Sequence, residues 1–283
     1  MSLPAYAGPG ERAWYYGFRF ICALIFLFLI FPIVVIVPLS FNALPYFTFT
    51  EAMLSLDPAG YSLRWYNALL GSEPWMSSIR NSLFIATSSS IIATFLGTLA
   101  ALGLSRPQMP ARGLITAILI SPMIVPLIIT AAALFAFYAR FQLGNSFFAI
   151  IMSHVVLGAP FVVITVTAAL SNFDQSLIRA SQSLGADGVT TFRKVIVPLL
   201  LPGIIAGGLF AFITSLDEVV VVSFLSGPAQ TPMTVRMFSG LREEISPTIL
   251  ALATILVALS ILLLTVMELI RRRGEKMRGM SPG

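Results

Sequence analysis

Charged positions are so sparse along this chain that the gaps between them define its elements. Six stretches lack Asp, Glu, Lys and Arg altogether: residues 20–50, 81–105, 113–139, 141–173, 195–216 and 245–267. Each reaches the roughly 20 residues that a helix needs to cross the hydrocarbon layer. Lipid offers the backbone no hydrogen-bond partners, and these continuous apolar runs lack the alternation of short barrel strands, so each predicts a helix. The pattern therefore predicts an all-α polytopic membrane protein. Its six transmembrane helices occupy residues 20–271, between an N-terminal segment 1–19 and a basic tail 272–283.

A long hydrophilic interruption deep in the apolar sequence is residues 174–197, bounded by Asp174 and Pro198. Asp174 is placed to cap a short helix that Gly185 ends. Asp187 is placed to cap a second helix carrying Val189, Phe192 and Val195 or Ile196 on one face, before Pro198 opens the next span. Two short helices at a bilayer surface form a lever on which another protein can push. In the third run, Ser121-Pro122 and Pro126 predict a break or kink that frees carbonyls to line a cavity, either as a static bend or as a gating hinge. Residues 42–78 carry Pro45, Asp57-Pro58, Gly60, Glu73-Pro74 and the aromatics Tyr61, Trp65, Tyr66 and Trp75, which predict an external segment with a short interfacial helix. The spacings Gly97 to Gly103 and Gly203 to Gly208 predict close helix packing.

A composition of 57% hydrophobic and 10% charged residues excludes a soluble domain around a single core. With both ends in the cytoplasm, that side holds Arg12, Arg19, Arg106, Arg112, Arg179, Arg193, Lys194, Arg271, Arg272, Arg273, Lys276 and Arg278, against Arg64, Arg80, Arg140, Arg236 and Arg242 opposite. The net charge of +5 then reflects topology rather than nucleic-acid binding. The first run follows Glu11 and Arg12, lacks a small-residue cleavage site and exceeds a signal-peptide core in length, so it is read as a retained helix. The single Cys22 has no internal disulfide partner. The single His154 has no second ligand or carboxylate within its own run, which favours a structural bond to a neighbouring helix over a metal or catalytic site. Neither lysine follows a Gly-rich turn in the manner of a phosphate loop, so any ATPase belongs to a separate chain that engages residues 174–197.

That segment resembles the "EAA" loop of type I ABC importer permeases. Ala180, Leu184, Gly185, Ala186, Phe192, Arg193, Val195, Val197 and Pro198 stand where the pattern wants them. Arg179 replaces the usual Glu, and Ser181 replaces the second Ala. The resemblance extends over roughly residues 60–270 and is nearest the spermidine/putrescine group, carried by Ser121-Pro122, Ser153-His154 with Pro160 to Val163, Ser215 to Val221, Ser226-Gly227-Pro228, and Ser246-Pro247 with Ala251 to Ile255. It implies the type I permease fold and an ATP-driven importer of the bacterial inner membrane with both termini cytoplasmic. It also implies a second, similar permease in a heterodimer, a cytoplasmic ATPase dimer that holds ATP and Mg, and a periplasmic binding protein that delivers a polyamine-like solute. No catalytic group, metal or cofactor is expected on this chain.

Two readings stay open at Arg179: a pairing with an acidic residue of the ATPase, and an anchor to lipid headgroups. Asp217 and Glu218 are adjacent carboxylates at the end of the fifth run. Charge at membrane depth points to a cavity, a partner or a substrate path. Nineteen residues at about 1.5 Å each place Asp217 roughly 28 Å from Pro198, toward the periplasmic end. The pair either lines the path of an ammonium group or contacts Arg236, Arg242 or the binding protein. Importers for opines or amino acids share these features. An ion-coupled secondary transporter would show matching repeats within one chain, and an intramembrane enzyme would need partners for His154.

Overall fold

The first apolar run folds as one helix, α1 (Pro9–Leu39), in a computed structural model that describes residues 8–277 except 107, 172, 175, 244 and 245. Residues 1–7 of the N-terminal segment, Gln175 of the loop, and residues 278–283 of the basic tail with Arg278 lie outside the described residues. Apolar side chains surround α1 and remain exposed, Phe26 and Phe28 among them, and only Leu39 is buried. A helix apolar on all sides belongs in lipid.

α1 falls in a first compact unit with the segment up to Gly71 and the start of the last helix, α13 (Thr248–Met277). Two short helices, α2 (Glu51–Leu54) and α3 (Arg64–Gly71), form within the expected external segment. Asn42, fully buried, organises this segment. Its amide donates to the carbonyls of Tyr46 and Thr48, its Oδ1 accepts from the Leu44 N–H, and its own carbonyl accepts from Trp65 Nε1 at 2.7 Å. A buried amide keeps its place only when its groups are paired in this way.

The second unit holds residues 72–243 and the end of α13. Its core is the mutual packing of α4 (Glu73–Leu104), α7 (Phe147–Ser171) and α10 (Val197–Asp217). Ala93 and Ala101 of α4, Val155, Val162 and Val166 of α7, and Ala211 of α10 meet in one buried cluster. Small residues set the approach distance. A Cβ on Gly97 would lie 2.7 Å from Val162, and one on Gly208 would lie 2.7 Å from Thr94. Without hydrophobic drive between helices in lipid, such close backbone contact supplies the van der Waals energy of association. Gly103, grouped with Gly97 in the sequence pattern, faces open space instead.

Among the described residues, five helical stretches are long and apolar enough to cross a membrane without interruption: α1, α4, α7, residues 188–217 and residues 248–272. The third apolar run is broken. It forms α5 (Arg112–Ile120), a 3-10 turn over Ser121–Met123, and α6 (Leu127–Arg140), with a 99° bend between its halves. Pro122 and Pro126 lack N–H donors and clash with a continuing helix, so the expected kink becomes a right-angle corner.

Between α7 and α10 the chain forms α8 (Ser176–Ser183), α9 (Gly188–Thr191) and a wide π-helical turn over Phe192–Ile196. Pro198 stands in the first turn of α10, as expected, although the helical stretch reaches back to Gly188 through α9 and the π-helical turn. Past α10 come α11 (Val220–Leu225) and α12 (Met233–Glu243). Val221, Val222 and Leu225 of α11 pack with Ile85 of α4, Tyr138 of α6 and Ile150 of α7 in a second buried cluster. Among the described residues the sole strand-like contact is an isolated bridge between Asn42 and Tyr61.

Candidate functional site

The corner of the third run and the end of α10 face each other across a cavity of about 620 Å³. Pro122 to Leu127 form one wall, Leu157 and Phe161 of α7 a second, and Ile213, Thr214, Asp217 and Glu218 a third. The two prolines and the two carboxylates singled out in the sequence thus meet in one place. The carboxylates do not play the same part. Asp217 is exposed, whereas Glu218 is 6% exposed and turns inward.

Glu218 adopts an extended backbone that ends α10. Its Oε1 accepts from the Val221 N–H at 2.7 Å and its Oε2 from the Val222 N–H at 2.9 Å, so the carboxylate meets the unpaired donors at the start of α11. Thr234 Oγ1 donates to its carbonyl at 3.0 Å. Asp217 is the last residue of α10, where the residue count from Pro198 places it, and the cavity that it lines with Glu218 is also lined by Leu157 and Phe161 of α7. The two arginines considered as partners for the pair are committed elsewhere: Arg236 donates to Ser78 Oγ and lies over Trp75, and Arg242 lies over Phe238.

His154 approaches this joint from α7. Its Nδ1 is 2.6 Å from Ser215 Oγ, to which Ser89 of α4 donates at 2.9 Å, and its Nε2 lies 3.7 Å from Glu218 Oε2. The expected bond to a neighbouring helix is present. The proximity to a carboxylate went unseen because that carboxylate lies on a different helix. The readable signal was polarity itself, since Ser89, His154 and Ser215 belong to short polar groups, Thr87 to Ser90, Ser153-His154 and Thr214-Ser215, inside apolar runs.

The loop at 174–197 is built locally. Asp174 Oδ1 accepts from the Ser176 N–H at 2.8 Å, and the Ser176 hydrogen bonds, aided by Arg179, hold this exposed carboxyl below the ordinary carboxylate range. Asp187 caps α9 through the Thr190 N–H at 2.9 Å, which lowers its carboxyl likewise. Gly185 has φ +84°. The Gly185 N–H reaches the Gln182 carbonyl and the Ala186 N–H the Ser181 carbonyl, a Schellman ending for α8. Ser181, at the position of the second Ala, bonds Thr191 Oγ1 at 2.9 Å and ties α8 to α9. Because Ser181 donates its own proton to the Ile178 carbonyl, Thr191 is the donor. Arg179, Ala180, Arg193 and Pro198 are exposed, as are Leu184 (89%), Val189 (65%) and Phe192 (38%).

Residues 93–276 match the family described as "Binding-protein-dependent transport system inner membrane component". The chain belongs to that family. This permease is 31% identical over 255 residues to the spermidine/putrescine transport system permease protein PotC of Shigella flexneri, covering 90% of this chain and 94% of that one. It is equally 31% identical over 260 residues to the putrescine transport system permease protein PotI of Escherichia coli (strain K12), covering 89% and 90%. The fold matches a solved bacterial ABC transporter involved in the import of the acidic polysaccharide alginate, at a TM-score of 0.73 and 16% identity over 94% of this chain and 99% of that one. The permease is therefore a type I ABC importer subunit, a multi-pass component of the inner membrane. It is not an enzyme, and in such systems ATP hydrolysis falls to a separate ATPase.

Proposed function

We propose that this permease forms the translocation path for a small organic cation of the polyamine class, with Asp217 as its principal contact and Glu218 completing the wall. The observation that carries the reading is the cavity at the corner of the third run: two carboxylates and no basic side chain among its lining residues, set against apolar walls from α7 and α10. A charge at this depth is costly unless it meets a partner, and a solute ammonium is such a partner. The names of its PotC and PotI relatives, which specify spermidine and putrescine, support the same class.

In this reading the solute arrives on a periplasmic binding protein. A second permease, different from this chain, completes the path, and both termini of each face the cytoplasm. Residues 174–197 dock on an ATPase dimer that holds ATP and Mg. Leu184, Gly185, Ala186 and Phe192 supply the apolar contact, while Ala180, Arg193 and Pro198 frame it. Arg179 meets an acidic residue of the ATPase in place of the usual reversed pair. The corner at Pro122 and Pro126 is the gate, because it is the wall of the cavity least supported by continuous helix.

The test is neutralisation without change of shape, Asp217→Asn and Glu218→Gln, in the complex assembled with its ATPase and binding protein. Losing a charge-assisted contact of about 1.5–3 kcal/mol lowers spermidine uptake by Asp217→Asn roughly 10- to 100-fold with assembly intact. Unchanged uptake in the double variant rejects a cationic solute. Uptake of a zwitterionic amino compound in preference to spermidine moves the assignment to the opine and amino-acid importers.

A further inference from the structure

Behind the cavity lies a buried polar chain in which one atom has no partner. Ser89, His154 and Ser215 come from three helices, α4, α7 and α10, and all are less than a tenth exposed. Ser89 Oγ has one proton and two acceptors in reach, Ser215 Oγ at 2.9 Å and the Ala86 carbonyl at 3.2 Å; the shorter contact takes it, which leaves the Ser215 hydroxyl proton for His154 Nδ1. An imidazole that accepts at Nδ1 carries its proton on Nε2. That Nε2–H has no hydrogen-bond partner among the described residues, and 3.7 Å away stands Glu218 Oε2, just beyond hydrogen-bond reach. A buried donor without an acceptor is unfavourable, so a small movement of the joint that closes this gap is favoured.

We propose that His154 is a positioning residue for transport: anchored by Ser215 and Ser89, its Nε2–H holds the Glu218 carboxylate inward at the α10–α11 joint, and thereby keeps Asp217 presented to the cavity. The joint is suited to this control. Glu218 is the extended residue that separates the two helices, and the Val221 and Val222 N–H groups and Thr234 grip its other atoms. Glu218 follows Asp217 directly and its extended backbone ends α10, so fixing the Glu218 side chain inward also fixes the backbone that carries Asp217. The inference rests on the reading of Asp217 as the solute contact.

Side-chain geometry separates the two ends of the imidazole. His154→Asn keeps a polar group where Nδ1 meets Ser215 and deletes the group facing Glu218. His154→Gln places an amide near Nε2, and His154→Phe removes both. The readout is the affinity of the assembled permease–ATPase complex for labelled spermidine, with complex yield measured alongside. His154→Asn and His154→Phe are expected to weaken binding about tenfold at unchanged yield, a change on the scale of one hydrogen bond to a charged group, and His154→Gln to remain within about threefold of the parent.

In a Glu218→Gln background, His154→Asn should add nothing, since it acts through that carboxylate. Parental affinity in His154→Asn, equal losses in the Asn and Gln variants, or additive losses with Glu218→Gln each overturn the proposal. Should the Phe variant fail to assemble, the Asn and Gln pair still decides. Asp217→Asn, assayed in parallel, keeps the two claims apart. Undiminished binding there removes the cation path itself, whereas lost binding there together with parental affinity in His154→Asn removes only the positioning role.

Discussion

The loop at 174–197 and the joint at Ser215 to Glu218 are both polar interruptions of an apolar chain, yet they are held in opposite ways. The loop closes on itself: Asp174 bonds Ser176, Asp187 bonds Thr190, and the side-chain link from Ser181 to Thr191 spans ten residues. The joint is held from afar, His154 to Ser215 across 61 residues and Ser89 to Ser215 across 126. A self-contained loop keeps its shape while its surface is remade for a partner. A joint made by three packed helices moves only when they do, which suits the part of a transporter that must change with conformational state.

The two regions should therefore fail differently. Changes in the joint shift solute affinity and uptake while leaving ATPase retention intact, and the largest effect is expected from Asp217→Asn. Next comes Gly185→Val. A Cβ at Gly185 meets nothing within 4 Å, so the penalty is purely that of the left-handed backbone, about 1–2 kcal/mol, or roughly 5- to 30-fold. Membrane insertion should survive, and the ATPase should detach or uncouple. Normal transport with normal ATPase retention would refute the role given to α8 and its ending. The smallest effect belongs to Arg179→Glu, since exposed ion pairs are weak and a roughly two- to fivefold loss of assembly is expected. Restoration by an acidic-to-basic change at the facing ATPase residue supports the pairing; no restoring change at that residue leaves lipid anchoring as the account of Arg179.

What was legible in the sequence follows the same division. The Asp187 cap, the Asp174 turn that accepts the Ser176 N–H just ahead of α8, and the left-handed Gly185 were readable because each depends on neighbours within a turn or two. The break in the third run was readable because proline acts on its own helix, though the 99° angle was not, since that depends on what packs around the corner. At the joint, Asp217 and Glu218 looked equivalent. The bonds from the Val221 and Val222 N–H groups to Glu218 are as local as the Asp187 cap, but they require α10 to end at Asp217, which the long-range bond from Thr234 and the packing of α11 decide and no local signal announces. His154 looked solitary for the same reason: its carboxylate neighbour lies on another helix. The role of Ser181 was hidden too, because the bond to Thr191 requires two short helices to fold against each other.

The central claim is that the cavity beside Asp217 lies on the path of a cation, and it is tested most directly by reactivity at Thr214, which lines that cavity and leaves both carboxylates in place. In a Cys22→Ser background, Thr214→Cys in the assembled complex should react with a cationic thiosulfonate several-fold faster than with an anionic one of the same size, because nearby carboxylates concentrate positive charge. Spermidine delivered by the binding protein during ATP turnover should slow the cationic reaction. Equal rates for the two reagents, with no protection by spermidine, would contradict the account.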